Sequence, residues 1–131
     1  MNNLNNYDDL ILNIVDSLEN LTSKAIRKNV SSDKIIWDPG IGFSKDTNQN
    51  LVILRNIDLL KKFQFPILIG ASRKRFIGEI LDETNPKERD IGSLAISCLC
   101  SQKKVHMVRV HDVKINNQVL KISDKIFRKK N

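Results

Sequence analysis

A chain of 131 residues, 40% of them hydrophobic and with a formal net charge of +7, is the size of one small domain that holds enough apolar material for a core. No apolar run approaches the roughly 18 residues needed to cross a bilayer. The start "MNNLNNYDDL" lacks the basic and apolar blocks of a signal peptide, so a cytoplasmic protein away from membranes is expected.

From Asp8 to about Lys28, apolar residues at Leu10, Ile14, Leu18, Leu21 and Ala25 recur every three or four positions, which predicts an amphipathic helix with that stripe inward. "KIIWDPG" follows as a short strand stopped by Pro39 and Gly40. After a loop to about Asn48, Leu51, Leu54, Ile57 and Leu60 mark the buried side of a second helix. "FPILIG" is a second apolar strand ended by Gly70, and a basic turn, a short helical "FIGEIL" and a polar loop through Pro86 come next. A helix from about Arg89 to Gln102 leads to the third strand, "VHMVRVHDV", and the chain closes on a helix with Val119, Ile122 and Ile126 inward. Cys98 and Cys100 have no further Cys to complete a zinc set and read as reduced packing residues.

Apolar strands alternating with helices predict an α/β domain over residues 1–131, with about three parallel strands and four to five helices. Three strands are few for a complete sheet or barrel of this kind.

In parallel α/β folds ligands gather at the C-terminal ends of the strands, and all three ends here are polar. At the first, Asp38 is either a hydrogen-bond acceptor for an N–H-rich ligand or simply part of an Asp-Pro-Gly turn. Gly40 and Gly42 then let backbone approach a ligand, and Phe43 is either a flat apolar wall or a loop residue tucked into the core. The second strand end delivers "GASRKRFIG", with Ser72 before Arg73, Lys74 and Arg75. A solvated basic turn is one reading of that run. The other is an anion site, because cations beside the positive end of a helix are unfavourable until a phosphate or carboxylate joins them. At the third end, "RVHDV" sets Arg109 and His111 two apart, an arrangement suited to a phosphate or pyrophosphate. The alternative is that Arg109 pairs with an internal carboxylate such as Asp38 or Asp112. His106 reads as packing. No Walker loop and no metal-ligand cluster is present.

The +7 charge also raises a nucleic-acid partner. Much of the excess sits in exposed-looking stretches at 61, 103 and 128, without the aromatic interleaving of a single-strand binder, so no nucleic acid is expected.

Together and in order, "DPGIGFSK", "GASRKRFIG" and "RVHDV" resemble the dihydropteroate synthase family of pterin-binding TIM-barrel enzymes, and the resemblance spans essentially the whole chain. It implies the C-terminal portion of a (β/α)8 barrel, carrying the last three strands and lacking the first five. It further implies condensation of 4-aminobenzoate with a hydroxymethyl-dihydropterin diphosphate, giving 7,8-dihydropteroate and diphosphate with the help of Mg2+. The metal's protein ligand would lie in the absent N-terminal part, so no metal ligand is expected here.

On that resemblance Asp38 would bind the pterin's amino and ring N–H groups, and Lys74 its carbonyl and ring nitrogen. Arg109 and His111 would hold the diphosphate, while Phe43, Arg73 and Arg75 would border the aminobenzoate; Ser72 joins the substrate-binding set, and Lys74, Arg109 and His111 form the catalytic one. Two departures stand out: Arg75 where some relatives have Ser, and Lys104 where the family commonly has Gly, which puts strain in that turn. Three strands of eight would leave open edges, so an N-terminal half or a homo-oligomer is an expected partner. The readings set beside this one are an inactive remnant or one half of a split enzyme acting as a pterin and anion binder, and a methyl-carrier relative whose lack of a diphosphate ligand disfavours it.

Overall fold

A computed structural model of the protein describes residues 3–128. Helix α1 runs Asn3–Arg27, α2 Thr47–Arg55, α3 Ile57–Lys61, α4 Arg75–Leu81, α5 Asp90–Gln102 and α6 Val113–Phe127. Strand β1 is Leu68–Ile69 and β2 Met107–Val108, paired in parallel with Leu68 opposite Met107 and Ile69 opposite Val108. The expected first strand narrows to a single parallel bridge between Trp37 and Ile67. Trp37 N–H donates to Pro66 O at 2.8 Å and Leu68 N–H to Trp37 O at 2.9 Å. Pro39 supplies no N–H and Asp38 folds its side chain onto Gly40, so the ladder stops there.

The expected second helix is two. An Asp46–Gln49 capping box starts α2, each side chain accepting the other residue's backbone N–H at 2.8 and 2.9 Å. Asn56 then leaves helical geometry and donates from Nδ2 to Val52 O, a competition with the backbone that ends α2 before α3 begins. Leu54, Ile57 and Leu60 are buried as expected, and Val52 and Ile53 join them.

Strand alternation sorts the core. Trp37, Ile67 and Ile69 point to the helix side, where Trp37 stacks on Phe65 at 5.1 Å and packs against Phe63 at 5.4 Å. The indole N–H donates to Thr22 Oγ1 on α1 at 2.8 Å, so burial leaves no orphaned donor. On the opposite side of the sheet Ile36 and Met107 are exposed and Leu68 is half-buried, an apolar inner face without a cover among the described residues.

Two helix faces differ from expectation. On α1 the fully buried pair is Ile11 and Val15, with Leu10, Ile14 and Leu18 partly buried and Leu21 exposed, because the helix leans on the core through a stripe rotated by one residue. On α6, Ile122 and Ile126 are exposed, and the buried residues are Asn116 and Ser123. That seam is polar: Ser97 Oγ donates to Asn116 Oδ1 at 2.7 Å, Ser123 Oγ meets Cys98 Sγ at 3.4 Å, and Ser101 Oγ bonds the Asp124 carboxylate. Small hydrogen-bonded side chains let α5 and α6 approach closely, and the apolar stripe therefore faces away. Both cysteines are free, and burial pushes the Cys100 thiol up to about 12, which makes it inert packing.

The basic pairs are not wholly solvated: Lys61 Nζ donates to Lys103 O at 2.7 Å, and Lys103 pairs with Asp58 at 3.1 Å. Of the expected basic tail, Lys129 and Lys130 lie outside the described residues. Lys104 has φ 58, the left-handed region that its departure from Gly anticipates. Lys104→Gly should stabilise the chain by about 0.5–1 kcal/mol, the left-handed penalty less glycine's entropy cost. An unchanged urea midpoint would show that the turn carries no such strain.

Candidate functional site

The C-terminal ends of the three strand segments converge, and each contributes charge. Asp38 leaves the Trp37 segment with Oδ1 accepting Gly40 N–H at 2.8 Å and Oδ2 facing Arg109 Nη2 at 3.7 Å. The turn reading of Asp38 is seen directly in one oxygen, and the other oxygen is turned toward Arg109. At 3.7 Å, with the guanidinium mostly exposed, the Arg109 contact is a loose pair that leaves donors free. Among the described residues the ion pair of Arg109 is with Asp38, while Asp112 caps α6 by accepting Ile115 N–H at 3.2 Å.

Gly70 lies under that pair, where a Cβ would come within 3.1 Å of Arg109 Nη2, so a side chain at this strand end would displace the guanidinium.

The Gly40–Phe43 loop is held by two ammonium groups. Lys45 Nζ donates to Gly40 O at 2.8 Å and Phe43 O at 2.9 Å. Lys74 Nζ donates to Ile41 O and stands 4.4 Å from the centre of the Phe43 ring, within cation–π range. Gly42 makes room for this: at φ 87, a Cβ there would sit 2.6 Å from Lys74 Cδ. Phe43 is accordingly an exposed wall rather than a core residue.

Burial lowers the Lys74 ammonium below its ordinary value, Asp38 pulls it back up, and Arg109 and Lys45 push it further down. Lys45 is likewise lowered by burial and raised by Asp38. One carboxylate among three cations leaves the cluster with a positive balance, which suits an anionic ligand.

Between this loop and α4 lies a cleft of about 650 Å3, with Phe43, Lys45, Thr47, Lys74, Arg75 and Glu79 along its walls. Arg75 is exposed, pairs with Glu79 at 3.0 Å one helical turn on, and Thr47 Oγ1 bonds the same carboxylate from α2.

Arg73 is placed differently from expectation. It is not among the residues lining the cleft: Nε and Nη2 grip both oxygens of Asp90 at 2.8 and 3.1 Å. Its backbone is left-handed at φ 60. Arg73 N–H donates to Ser93 Oγ at 3.2 Å and Arg89 Nη1 donates to Arg73 O at 3.0 Å, so the first turn of α5 fixes this strained residue. The Arg73 hydrogen bond holds the Asp90 carboxyl below the usual range. Arg73 shapes the turn, and that turn aims Lys74.

Ser72 is buried and bonds His111 Nδ1 at 2.9 Å, joining the ends of β1 and β2. The structure thus clusters the charges of Asp38, Lys74 and Arg109 at the strand ends, sets Phe43 beside Lys74 on the cleft wall, links Ser72 to His111, and sets Arg73 aside as a support. The residues missed in the sequence are Lys45, Arg89, Asp90 and Ser93. Asp90 and Ser93, three apart at the start of a predicted helix, share one face toward the basic turn, and that spacing is the signal that was there to use. His106 is exposed rather than packed, and its Nδ1 accepts Ile67 N–H at 3.1 Å.

Known proteins resemble this chain in sequence and in fold. Residues 1–111 match the family described as pterin binding enzyme. The dihydropteroate synthase of Synechocystis sp. is 42% identical over 128 residues, which cover 98% of this chain and 44% of that protein. A Yersinia pestis dihydropteroate synthase solved with a sulfonamide drug superposes with a TM-score of 0.89 at 30% identity, covering 94% of this chain and 44% of that one. The Xanthomonas albilineans enzyme, solved with 7,8-dihydropteroate, gives 0.87 at 31% identity over 91% of this chain and 45% of its own. The chain therefore spans less than half the length of these relatives, and its strands and helices form a C-terminal portion of their barrel. On sequence and on structure alike, the chain belongs to the pterin binding enzyme family.

Proposed function

We propose that this chain supplies the pterin, aminobenzoate and diphosphate contacts of a dihydropteroate synthase, a transferase of folate biosynthesis. The observation that carries the reading is the meeting of Asp38, Lys74 and Arg109 at adjacent strand ends beside the Phe43 cleft. Asp38 Oδ2 accepts N–H groups of the dihydropterin. Lys74 exchanges the Ile41 carbonyl for the pterin carbonyl, keeping the ring between a carboxylate and an ammonium. The 4-aminobenzoate occupies the cleft against Phe43, with its carboxylate toward Arg75.

The aminobenzoate nitrogen attacks the pterin's methylene carbon, forming a C–N bond as the C–O bond to diphosphate breaks, and the amine loses a proton. Arg109 and His111 hold the departing diphosphate, so their hydrogen bonds strengthen as negative charge accumulates on it.

Magnesium enters this proposal only through the remainder of the barrel. Among the described residues no three His, Cys, Asp or Glu side chains stand together as a metal site, and no step is assigned to the ion. The exposed inner-face Ile36 and Met107 support a partner that completes the barrel, either an N-terminal portion or a second copy. A cytoplasmic location goes with this reading; among the described residues no helix is long and apolar enough to cross a membrane.

The test is incorporation of labelled 4-aminobenzoate by the purified chain, alone and mixed with an N-terminal barrel portion from a relative. The expected result is product from the mixture only. No product in the mixture, with both parts folded, would sink the transferase reading and favour a pterin and anion binder.

A further inference from the structure

The Ser72 hydroxyl stands among three partners. His111 N–H donates to it at 3.2 Å, Ser93 Oγ donates to it at 3.4 Å, and His111 Nδ1 lies 2.9 Å away. A serine oxygen has one proton and two acceptor sites. The backbone N–H and the Ser93 hydroxyl occupy both acceptor sites, and the remaining Ser72 proton is directed at Nδ1. Ser93 is in turn fixed by the Arg73 N–H that its oxygen accepts at 3.2 Å, which leaves its own proton to give. The reverse order would have Ser72 accept from the backbone and the ring of one residue and send its proton along the longest contact of the three, the weaker arrangement.

We propose that Ser72 and Ser93 lock His111 in the neutral Nε2–H tautomer, as positioning residues that reserve Nε2 as an outward hydrogen-bond donor. His111 is an exposed residue, and the reserved N–H is the ring atom left for whatever anion binds there. That this anion is diphosphate rests on the transferase reading; the lock itself does not. The lock has a functional logic, because a histidine whose Nδ1 carried the proton would present a lone pair to the anion.

The chain contains a built-in reference. Its only other histidine, His106, accepts the Ile67 N–H on Nδ1 at 3.1 Å, which fixes the same tautomer without either serine. In long-range proton–nitrogen NMR of histidine-labelled chain at about pH 8, where an ordinary imidazole is neutral, both rings should show the Nε2–H pattern. Ser72→Ala should cost His111 about tenfold in tautomer preference, the worth of one hydrogen bond, while His106 stays unchanged and certifies the fold. Ser93→Ala should shift His111 the same way by less.

An Nδ1–H or evenly mixed His111 in the parent chain, or a His111 pattern indifferent to Ser72→Ala, would overturn the proposal. Sodium diphosphate is then added to the parent chain. Movement of the His111 signals supports the donor's use. Silence with the Nε2–H pattern intact removes the diphosphate assignment and leaves the lock standing.

Discussion

Arg109→Ala, assayed in the completed barrel, should lower kcat/KM by about 10²–10³-fold, the usual cost of removing one preorganised donor to developing negative charge. A second consequence separates this cause from simple misfolding. Lys74 sits below its ordinary 10.5 because burial disfavours its charge, and Arg109 is one of two cations that push it lower still. If charged Lys74 is needed for pterin binding, activity falls as pH rises through that depressed value. Removing Arg109 removes a push, so the alkaline limb of the residual activity should move to higher pH. The stability curve should run the other way. Between the depressed and ordinary values the unfolded chain binds more protons at Lys74, so stability contributed by this group rises with pH while activity falls. An unchanged kcat/KM would sink the assignment of Arg109 to the leaving group. A limb that stays put would separate Arg109 from Lys74.

Trp37→Ala should destabilise the chain by about 3–5 kcal/mol, the range for truncating a large buried aromatic. Trp37 is 2% exposed, lies against two phenylalanines and bonds Thr22 through its indole, so the substitution opens a cavity and removes the donor to Thr22 Oγ1. Against a typical total of about 5–15 kcal/mol, that loss threatens folding itself. Trp37→Phe retains the ring stack and forgoes the Thr22 bond, and should cost about 1 kcal/mol for that bond in addition to lost area. Trp37 is the chain's only tryptophan, so urea unfolding has to be followed by far-ultraviolet circular dichroism rather than fluorescence. A loss no larger than that of a surface substitution would show that the aromatic stack is not what joins α1 to the sheet.

The order of helices and strands was legible because apolar periodicity and Gly/Pro punctuation mark it directly. The same periodicity misled on α6, where Ile122 and Ile126 look inward on paper. Hydrophobicity ranks side chains by their cost in water, and it does not register a seam in which Ser97, Ser101 and Ser123 each find a partner on the facing helix, in Asn116, Asp124 and Cys98.

The charged groups at the strand ends, Asp38, Lys74, Arg109 and His111, were legible as candidates from the sequence. The separate placement of Arg73 was not, since three adjacent cations look equivalent until a backbone turn sends one away to Asp90. Lys45 was overlooked within a quoted motif because its contacts are to carbonyl oxygens, and backbone acceptors leave no trace in residue types.

The polar seam between α5 and α6 has a mechanical consequence. Apolar helix faces slide with little penalty, because one methyl contact replaces another. Hydrogen-bonded contacts at three successive levels, Ser97 to Asn116, Cys98 to Ser123 and Ser101 to Asp124, act as pegs that resist translation and rotation together. His111 and Asp112 lead into α6, while Asp90 and Ser93 open α5. The pegged pair thus ties the chain entering α6 to the start of α5, the two segments that Ser72 joins through His111 and Ser93.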